Sequence, residues 1–504
     1  MEPILPRRPL HWHPAVEALR DTLAVHSEVY LVGGTVRDAY LHRPTRDIDL
    51  VTPGDGRPLA RSIANAFSGS YYSLDAERGV GRAIIPWEGN RLVLDVAQFR
   101  GPDLETDLLH RDFTINAMAV PLMGDLTGVI DPLGGLRDLE LNRLRRCSPE
   151  SIPSDPIRAL RAIRASVAHG LQVEPDTKAD LRAAAPRLQA VSPERVRDEL
   201  FHILDTRDPS AALRALYQLG LLQAVLPEVA GLDSIKQGSP HIFDVWHHTL
   251  ETVSHLDVLL RVMRGERSDE LTDNMPIGAA VFAFVDLRPR IGAELSIEWP
   301  QERSHHALLL LGALMHDAAK SVTRTEAEDG RVHFFRHDLI GAGWIHARAK
   351  HLHLSNDEAD RLQTIVRNHM RPHWLNNDTL TPSGIYRYWR DTGSAGVDIC
   401  FQAMADYLGM VANTLDQAAW VHYLETVRTL LEHYFFRYDS AIDPPPLVSG
   451  RDLIEQFGIE PGPAIGAILE ALREAQVEQR IKTKQDALDF AQHVLEEASH
   501  NHNQ

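Results

Sequence analysis

Cysteine is almost missing from this sequence: Cys147 and Cys400 are the only two in 504 residues. Two thiols cannot build a disulfide framework, so a stapled secreted fold is excluded and a reducing compartment is expected. Long apolar runs are missing too. The most extended, near Ile277–Val285 and Ala307–Met315, reach about half of the ~20 residues a membrane span requires. The opening MEPILPRRPL has no apolar core of signal-peptide length, and a cytoplasmic protein without membrane association is expected. Positive charge is scarce: 52 Lys and Arg face 70 Asp and Glu, for a net −18. That balance argues at first against a polyanionic partner, because phosphate binding leaves a basic footprint. Repeats and low-complexity tracts are absent as well. What is present, 44% hydrophobic and 24% charged residues over this length, reads as a globular chain of three or four domains.

Strand-like and helical patterns alternate in the first part. Val29–Val32, Ile48–Val51 and Leu92–Phe99 are apolar, β-prone runs. After about residue 145 strand signals nearly vanish and amphipathic helices take over. A polar stretch between Arg264 and Asn274 reads as a loop, and Pro444-Pro445-Pro446 as a stiff linker before a last helical segment. The architecture expected is an α/β head followed by all-helical domains.

The densest chemistry is LVGGTVRDAYLHRPTRDIDLV, residues 31–51. A strand runs into Gly33-Gly34 and a helix follows, a turn at which backbone amides can approach a phosphate closely. Asp47 and Asp49 then sit two apart on the next strand, so their carboxylates face one side. Two such charges together are costly unless a divalent cation neutralises them, and oxygen-only ligands favour Mg²⁺ shared with substrate phosphates. Asp95, in a later strand, supplies a third carboxylate.

This run, with Arg37-Asp38 inside it, resembles the nucleotidyltransferase motif of the DNA polymerase beta superfamily. More closely it resembles the class II tRNA nucleotidyltransferase and bacterial poly(A) polymerase family. The later motifs follow in order. DLLHRDFTINAMA (107–119), DPLGGLRDL (131–139), SDPIR (154–158) and Ser192-Pro193-Glu194-Arg195 are each similar to a family motif. The resemblance implies attack of an RNA 3′-hydroxyl on the α-phosphate of ATP or CTP, with Asp47, Asp49 and Asp95 catalytic and the first two holding Mg²⁺. It implies nucleotide binding by Gly33, Gly34, Arg37, Arg111, Asp112 and Asn116. Two departures stand out: His110 replaces the first arginine of Arg-Arg-Asp, and Ser154 replaces the glutamate of Glu-Asp.

Asp155 and Arg158 match positions that imitate a template. An Asp can accept from the amino group of cytosine or adenine while an Arg donates to ring acceptors, so C and A are read and U and G mismatch. The local alternative is an ordinary helix start, with Asp155 as N-cap and Pro156 at the first position. Along this helix Ile157, Leu160, Ile163 and Val167 mark an apolar face. Arg158, Arg161 and Arg164 recur every third residue, and Arg161 and Arg164 are expected to line an RNA-phosphate track rather than a merely solvated face. Glu194 and Arg195 are expected to brace the neck.

Histidines crowd residues 241–373. His248, His316-Asp317 within LLLLGALMHDAAK, and Asp406 form an ordered set. An adjacent His-Asp in an apolar helix rarely serves packing, because an uncompensated buried carboxylate is costly. With His248 and Asp406 it makes a divalent metal site chemically sensible. The set resembles an HD-type phosphohydrolase domain, with His337 and His369 as accessory positions and Lys320 completing His-Asp-x-x-Lys. The resemblance implies Mg, Mn or Ni there and an accessory phosphoesterase, or else a body that only positions RNA.

The expected division is head 1–145, neck 146–235, HD-type helical metal domain 236–440 and a C-terminal helical segment 441–504. The expected function is addition of C and A to the 3′ end of tRNA. The alternatives are poly(A) addition, addition of CC or A alone, an HD phosphohydrolase with a regulatory nucleotide-binding head, or a non-catalytic RNA-binding descendant, against which both Asp47 and Asp49 speak. The charge fits once it is mapped. Residues 1–200 carry net −3 and residues 201–504 net −15, while 137–197 carry 12 basic and 8 acidic residues. A local arginine-rich track on an acidic body is expected, with salt-sensitive tRNA affinity.

Overall fold

A computed structural model of the chain describes residues 2–24, 28–45, 47–266, 274–377 and 380–501, the side chains of 413 and 497–501 excepted. The chain divides into two compact units, Met1–Val225 and Leu226–Gln504.

The first unit is built on a six-stranded sheet. Its strands are β1 (Tyr30–Val32), β2 (Asp47–Thr52), β3 (Ser70–Asp75), β4 (Val80–Trp87), β5 (Asn90–Gln98) and β6 (Ala119–Pro121). Their spatial order is β3-β4-β5-β2-β1-β6. All neighbours are antiparallel except β2 and β5, which run parallel and place Asp49 opposite Asp95. The three strands expected from apolar runs are therefore present: β2 is longer by one residue at each end, β1 is one residue shorter, and β5 starts two residues earlier and ends one earlier. The β3–β4 hairpin was not legible: β3 is an edge strand without a buried face, and Pro86 and Gly81 break the β-prone run of β4. The 113–119 segment is buried, as expected, but forms a short 3₁₀ turn at Thr114–Asn116 before β6.

The Gly34–Leu41 helix packs Val36, Ala39 and Tyr40 inward. Beyond the sheet the Arg158–His169 helix buries Leu160 and Ile163 under 3% exposure while Val167 is half-buried. That matches the expected apolar face.

Among the described residues the second unit is helical, apart from two small two-stranded ribbons. Its centre is the His305–Met315 helix, all eleven residues of which are buried. The Val245–Met263, His337–His351, Asn356–Asn368 and Ala395–Val411 helices belong to the same unit. Of the polar 264–274 stretch, residues 267–273 lie outside the described residues. Pro444–Pro446 has no regular structure. After it the Gly450–Phe457, Pro463–Val477 and Lys484–Asn501 helices share a small apolar core around Leu453, Ile468 and Ala487.

Candidate active site and metal cluster

The turn from β1 into the first helix of the head carries the expected glycines. Gly33 has φ +64°, a conformation that favours glycine. A side chain there would meet Asp49 Oδ2 at 3.0 Å and Arg111 Nη1 at 3.2 Å. The glycine turn is thus closed against the second aspartate of β2. Thr35 Oγ1, in the same turn, accepts the backbone N–H of Asp49 at 2.7 Å. The sequence reasoning missed Thr35, although its place directly after Gly-Gly was a usable signal.

Strand alternation puts Asp47 and Asp49 on one face, and parallel register adds Asp95 from β5 to it. Asp47 is exposed and Asp49 half-buried. Burial, followed by the neighbouring carboxylates of Asp95 and Asp47, pushes the Asp49 carboxyl up to about 6, against the pull of Arg111 and Arg37. Asp95 differs from expectation in one respect. Both of its oxygens are held by Arg82, Nε and Nη2 each at 2.8 Å. Arg82 lies across the strand pair on β4, a partner that only sheet register reveals.

The other head residues gather beside this face. Arg111 donates through Nε and Nη2 to the buried Asp107, each at 3.0 Å. Arg37 is held by Asp38 and reaches Asn116 Oδ1 at 2.7 Å, and Asn116 donates to Asp112 at 3.1 Å. Burial would raise the Asp112 carboxyl, but the Asn116 bond and the charge of Arg161 hold it below the usual range. His110 is exposed, with Nδ1 2.7 Å from the Thr106 carbonyl. The DPLGGLRDL motif is a brace: Asp131 accepts from the amides of Gly135 and Leu136, and Asp138 from Thr114 and Arg145.

The SDPIR segment departs from the expected arrangement. Helix capping by Asp155 is not made, since the helix begins at Arg158 with no side-chain cap. Instead Asp155 Oδ2 accepts from Arg195 at 2.8 Å, so Arg195 does brace this segment. Arg158 is 8% exposed. It donates to the carbonyls of Ser151 (2.9 Å), His110 (3.0 Å) and Arg111 (3.3 Å), and its Nε stays 4.0 Å from Asp155. Ser154 donates to the Ser151 carbonyl and does not touch Asp155's carboxylate. Asp155 and Arg195 line a cavity of about 400 Å³ with Arg187 and Ser192. Arg161 and Arg164 are partly exposed, yet both lie against the buried Glu199, at 3.4 and 2.5 Å. The expected basic row is therefore partly neutralised from below.

In the second unit three helices and the C-terminal ends of two more converge. His248 stands in the first turn of the Val245–Met263 helix, His316 and Asp317 just past His305–Met315, and Asp406 in Ala395–Val411. His337 opens one helix and His369 follows another. His248, His316 and Asp406 bring ligand atoms within 4.8 Å of one another, and so do Asp317, His337 and His369. His248 Nε2 lies 2.8 Å from Asp406 Oδ1. Burial would raise the Asp317 carboxyl, but His316 and Lys320 hold it well below the usual range. The four expected ligands are thus brought together. Sequence reasoning missed His373, whose Nε2 is 2.9 Å from Asp406 Oδ2 and whose Nδ1 meets the Tyr423 hydroxyl at 3.1 Å.

Residues 29–145 match the poly(A) polymerase head domain, 170–232 the RNA and SrmB binding site of polymerase A, 290–399 the HD domain, and 425–491 domain 2 of tRNA nucleotidyltransferases. The A-adding tRNA nucleotidyltransferase of Deinococcus radiodurans is 30% identical over 93% of this chain and 95% of its own. The chain belongs to the tRNA nucleotidyltransferase family. The CC-adding tRNA nucleotidyltransferase of Thermus thermophilus is 29% identical over 92% of this chain and 93% of its own. A CCA-adding enzyme solved with CTP shares the fold, with a TM-score of 0.61 at 20% identity, covering 96% of each chain. A Thermotoga maritima CCA-adding enzyme solved with tRNA shares it at 0.56 and 19% identity, over 97% of this chain and 99% of that one. The protein is a nucleotidyltransferase with an α/β head and a helical body that contains an HD domain. Among the described residues no helix is long and apolar enough to cross a membrane.

Proposed function

We propose that the protein adds C and A from CTP and ATP to the 3′ end of tRNA and releases pyrophosphate, in the cytoplasm. The observation that carries this reading is the Asp47–Asp49–Asp95 face closed against the Gly33-Gly34 turn, in a chain that aligns almost end to end with tRNA nucleotidyltransferases. The donor set fits Mg²⁺: it is all oxygen, and crowding raises the Asp49 carboxyl in a way that a bound cation would relieve. Asp47 and Asp49 would hold the metal, which when bound supplies neutralisation of the triphosphate and acidity at the RNA hydroxyl.

The chain's own groups do the positioning. Amides of the Gly33-Gly34 turn face the phosphates without a Cβ in the way. Arg111, fixed by Asp107, keeps Nη1 toward the same turn. The Arg37–Asn116–Asp112 chain offers polar groups to the ribose. Asp95 acts as a third carboxylate once Arg82 yields it. Base reading is assigned to Asp155 and Arg158. Their present contacts imply that the incoming base takes the place of Arg195 on Asp155 and that Arg158 releases a carbonyl. Arg161 and Arg164, above Glu199, guide the RNA backbone. In this scheme 1–145 is the catalytic head, 146–235 the reading neck, 236–440 the HD domain and 441–504 a helical appendage. In the HD domain, His248, His316, Asp317 and Asp406 hold a divalent metal such as Mg, Mn or Ni and serve phosphoester hydrolysis at RNA ends.

Incubating the protein with tRNA lacking its CCA end, with CTP, ATP or both, tests the reading. Incorporation dependent on tRNA, and of GTP or UTP no better than background, is expected. A second reading, addition of CC or A alone, is favoured by the fact that relatives named A-adding and CC-adding align over more than nine-tenths of this chain. The same assay separates them, because a CC-adding enzyme ignores ATP and an A-adding one needs a tRNA that already ends in CC.

A further inference from the structure

The carboxylate face of the head continues past Asp95. Residues directly opposite each other on paired strands point to the same side of a sheet. Asp49 on β2 stands opposite Asp95 on β5, Asp95 opposite Arg82 on β4, and Arg82 opposite Tyr72 on β3. The four side chains therefore form one row across four strands. At about 4.8 Å per strand, the row carries Tyr72 roughly 14 Å from Asp49 at backbone level.

The far half of this row is open. Tyr72 is 52% exposed, whereas Tyr71, on the opposite face, has the Arg61 guanidinium 4.7 Å over its ring. The Arg82 side chain is 38% exposed, and both of its hydrogen bonds go to Asp95. A pair this open to water is worth little energetically, so the guanidinium is exchangeable. The planar fork that holds a carboxylate in two bonds holds a phosphate equally well.

The direction of the reaction decides which phosphate. In-line displacement sets the attacking and leaving oxygens on opposite sides of the reacting phosphorus. The Gly33-Gly34 turn, which faces the triphosphate, follows β1 on one flank of β2. Arg82 and Tyr72 lie on the other flank, beyond β5. Pyrophosphate leaves on the β1 side, and the RNA hydroxyl comes from the side of β5, β4 and β3. A single-stranded RNA end carries the two groups that this half-row can hold, a phosphate for the guanidinium and a base face for the aromatic ring.

We propose that Arg82 and Tyr72 seat the 3′-terminal nucleotide of the acceptor RNA, its phosphate on Arg82 and its base stacked on Tyr72. The proposal rests on the nucleotide-addition reading and supplies the acceptor half of that site. Arg82 gives up Asp95 as the RNA arrives, so the third carboxylate and the acceptor hydroxyl are delivered together.

The test uses the full chain and tRNA lacking its CCA end, with 2-aminopurine as the 3′-terminal base. Quenching of its fluorescence on binding, read in chelator without nucleotide, reports stacking. Tyr72→Ala should relieve the quenching and Tyr72→Phe should restore it. In steady-state assays with unlabelled tRNA, Arg82→Ala should raise KM for tRNA about tenfold, the loss expected for one charge-assisted contact. KM for CTP should stay unchanged, which also shows that the head is folded, and Arg82→Lys should recover part of the loss. A rise in KM for CTP while that for tRNA holds puts the triphosphate on Arg82 and overturns the proposal. So does quenching indifferent to Tyr72→Ala. A fall in kcat with both KM values unchanged reduces Arg82 to a holder of Asp95 and overturns it as well. A parent that adds nothing to any RNA overturns the nucleotide-addition reading itself, whereas the other failures leave that reading standing.

Discussion

Replacing Asp49 by asparagine should abolish nucleotide addition and make the protein more stable. Burial first, then Asp95 and Asp47, raise the Asp49 carboxyl from 3.8 to about 6, with Arg111 and Arg37 opposing. A difference of roughly two units between folded and unfolded states corresponds to ~3 kcal/mol, and partial solvent contact lowers the usable part to ~2 kcal/mol. The sign follows from which state holds the proton. Below the unfolded value both states are protonated and Asp49 is no burden. Between pH 4 and 6 the unfolded chain loses the proton more readily, so the folded state loses relative stability as pH rises, and above about 6 the loss is complete. Asparagine carries no such burden. Urea unfolding in chelator at several pH values should show D49N and the parent alike near pH 4. The variant should then gain through pH 6 and hold a constant advantage to pH 8. Added Mg²⁺ should stabilise the parent and leave D49N unmoved. A variant no more stable than the parent at pH 8, or an advantage that does not change with pH, would refute the reasoning.

Gly33→Ala should be far more damaging than Gly34→Ala. The first combines φ +64° with a methyl 3.0 Å from Asp49 Oδ2, whereas the second lacks the positive φ and meets the Arg37 guanidinium at 3.3 Å and Asp49 Oδ2 at an ordinary 3.8 Å. Steady-state kinetics with CTP should show at least about a tenfold loss for Gly33→Ala, in line with the cost of misplaced phosphates. If Asp155 and Arg158 read the base, Arg158→Ala should raise GTP and UTP incorporation relative to CTP. Arg195→Ala should preserve selectivity, because it removes only the residue that occupies Asp155; the reverse pattern would transfer the role to Arg195. Asp47→Ala should stop nucleotide addition without altering metal retained by the second unit. Asp317→Ala should do the opposite, as measured by metal analysis and incorporation on the same preparations.

Legibility tracked the range of each interaction. Asp47 and Asp49 were readable because strand alternation places i and i+2 on one side whatever the rest of the fold does. The His316-Asp317 pair was readable because burial of such a pair in LLLLGALMHDAAK has few purposes other than a metal. The claim of Arg82 on Asp95, the seat of Arg158 under three carbonyls and the pairing of Asp155 with Arg195 were not readable. Apart from the Ser151 carbonyl, seven residues from Arg158, these contacts span 13 to 48 residues of sequence and depend on register or helix contact. The β3–β4 hairpin escaped for a different reason, since an exposed edge strand has no apolar alternation to show.

By itself the sequence determined the chemical inventory and its order: a glycine turn before paired carboxylates, an arginine-rich neck, and a helical body with a histidine-aspartate set. These are matters of residue type and short spacing, which local backbone geometry translates directly into side-chain direction. Only the tertiary structure decided who faces whom. Parallel pairing of β2 and β5 brought Asp95 beside Asp49 and so raised its carboxyl. Convergence of helices far apart in the chain brought ligand atoms of His248, His316 and Asp406 within 4.8 Å of one another. Both outcomes depend on distances of a few ångströms between segments the chain connects only through its fold, and electrostatic energy at such distances is what separates a set of residues from a site.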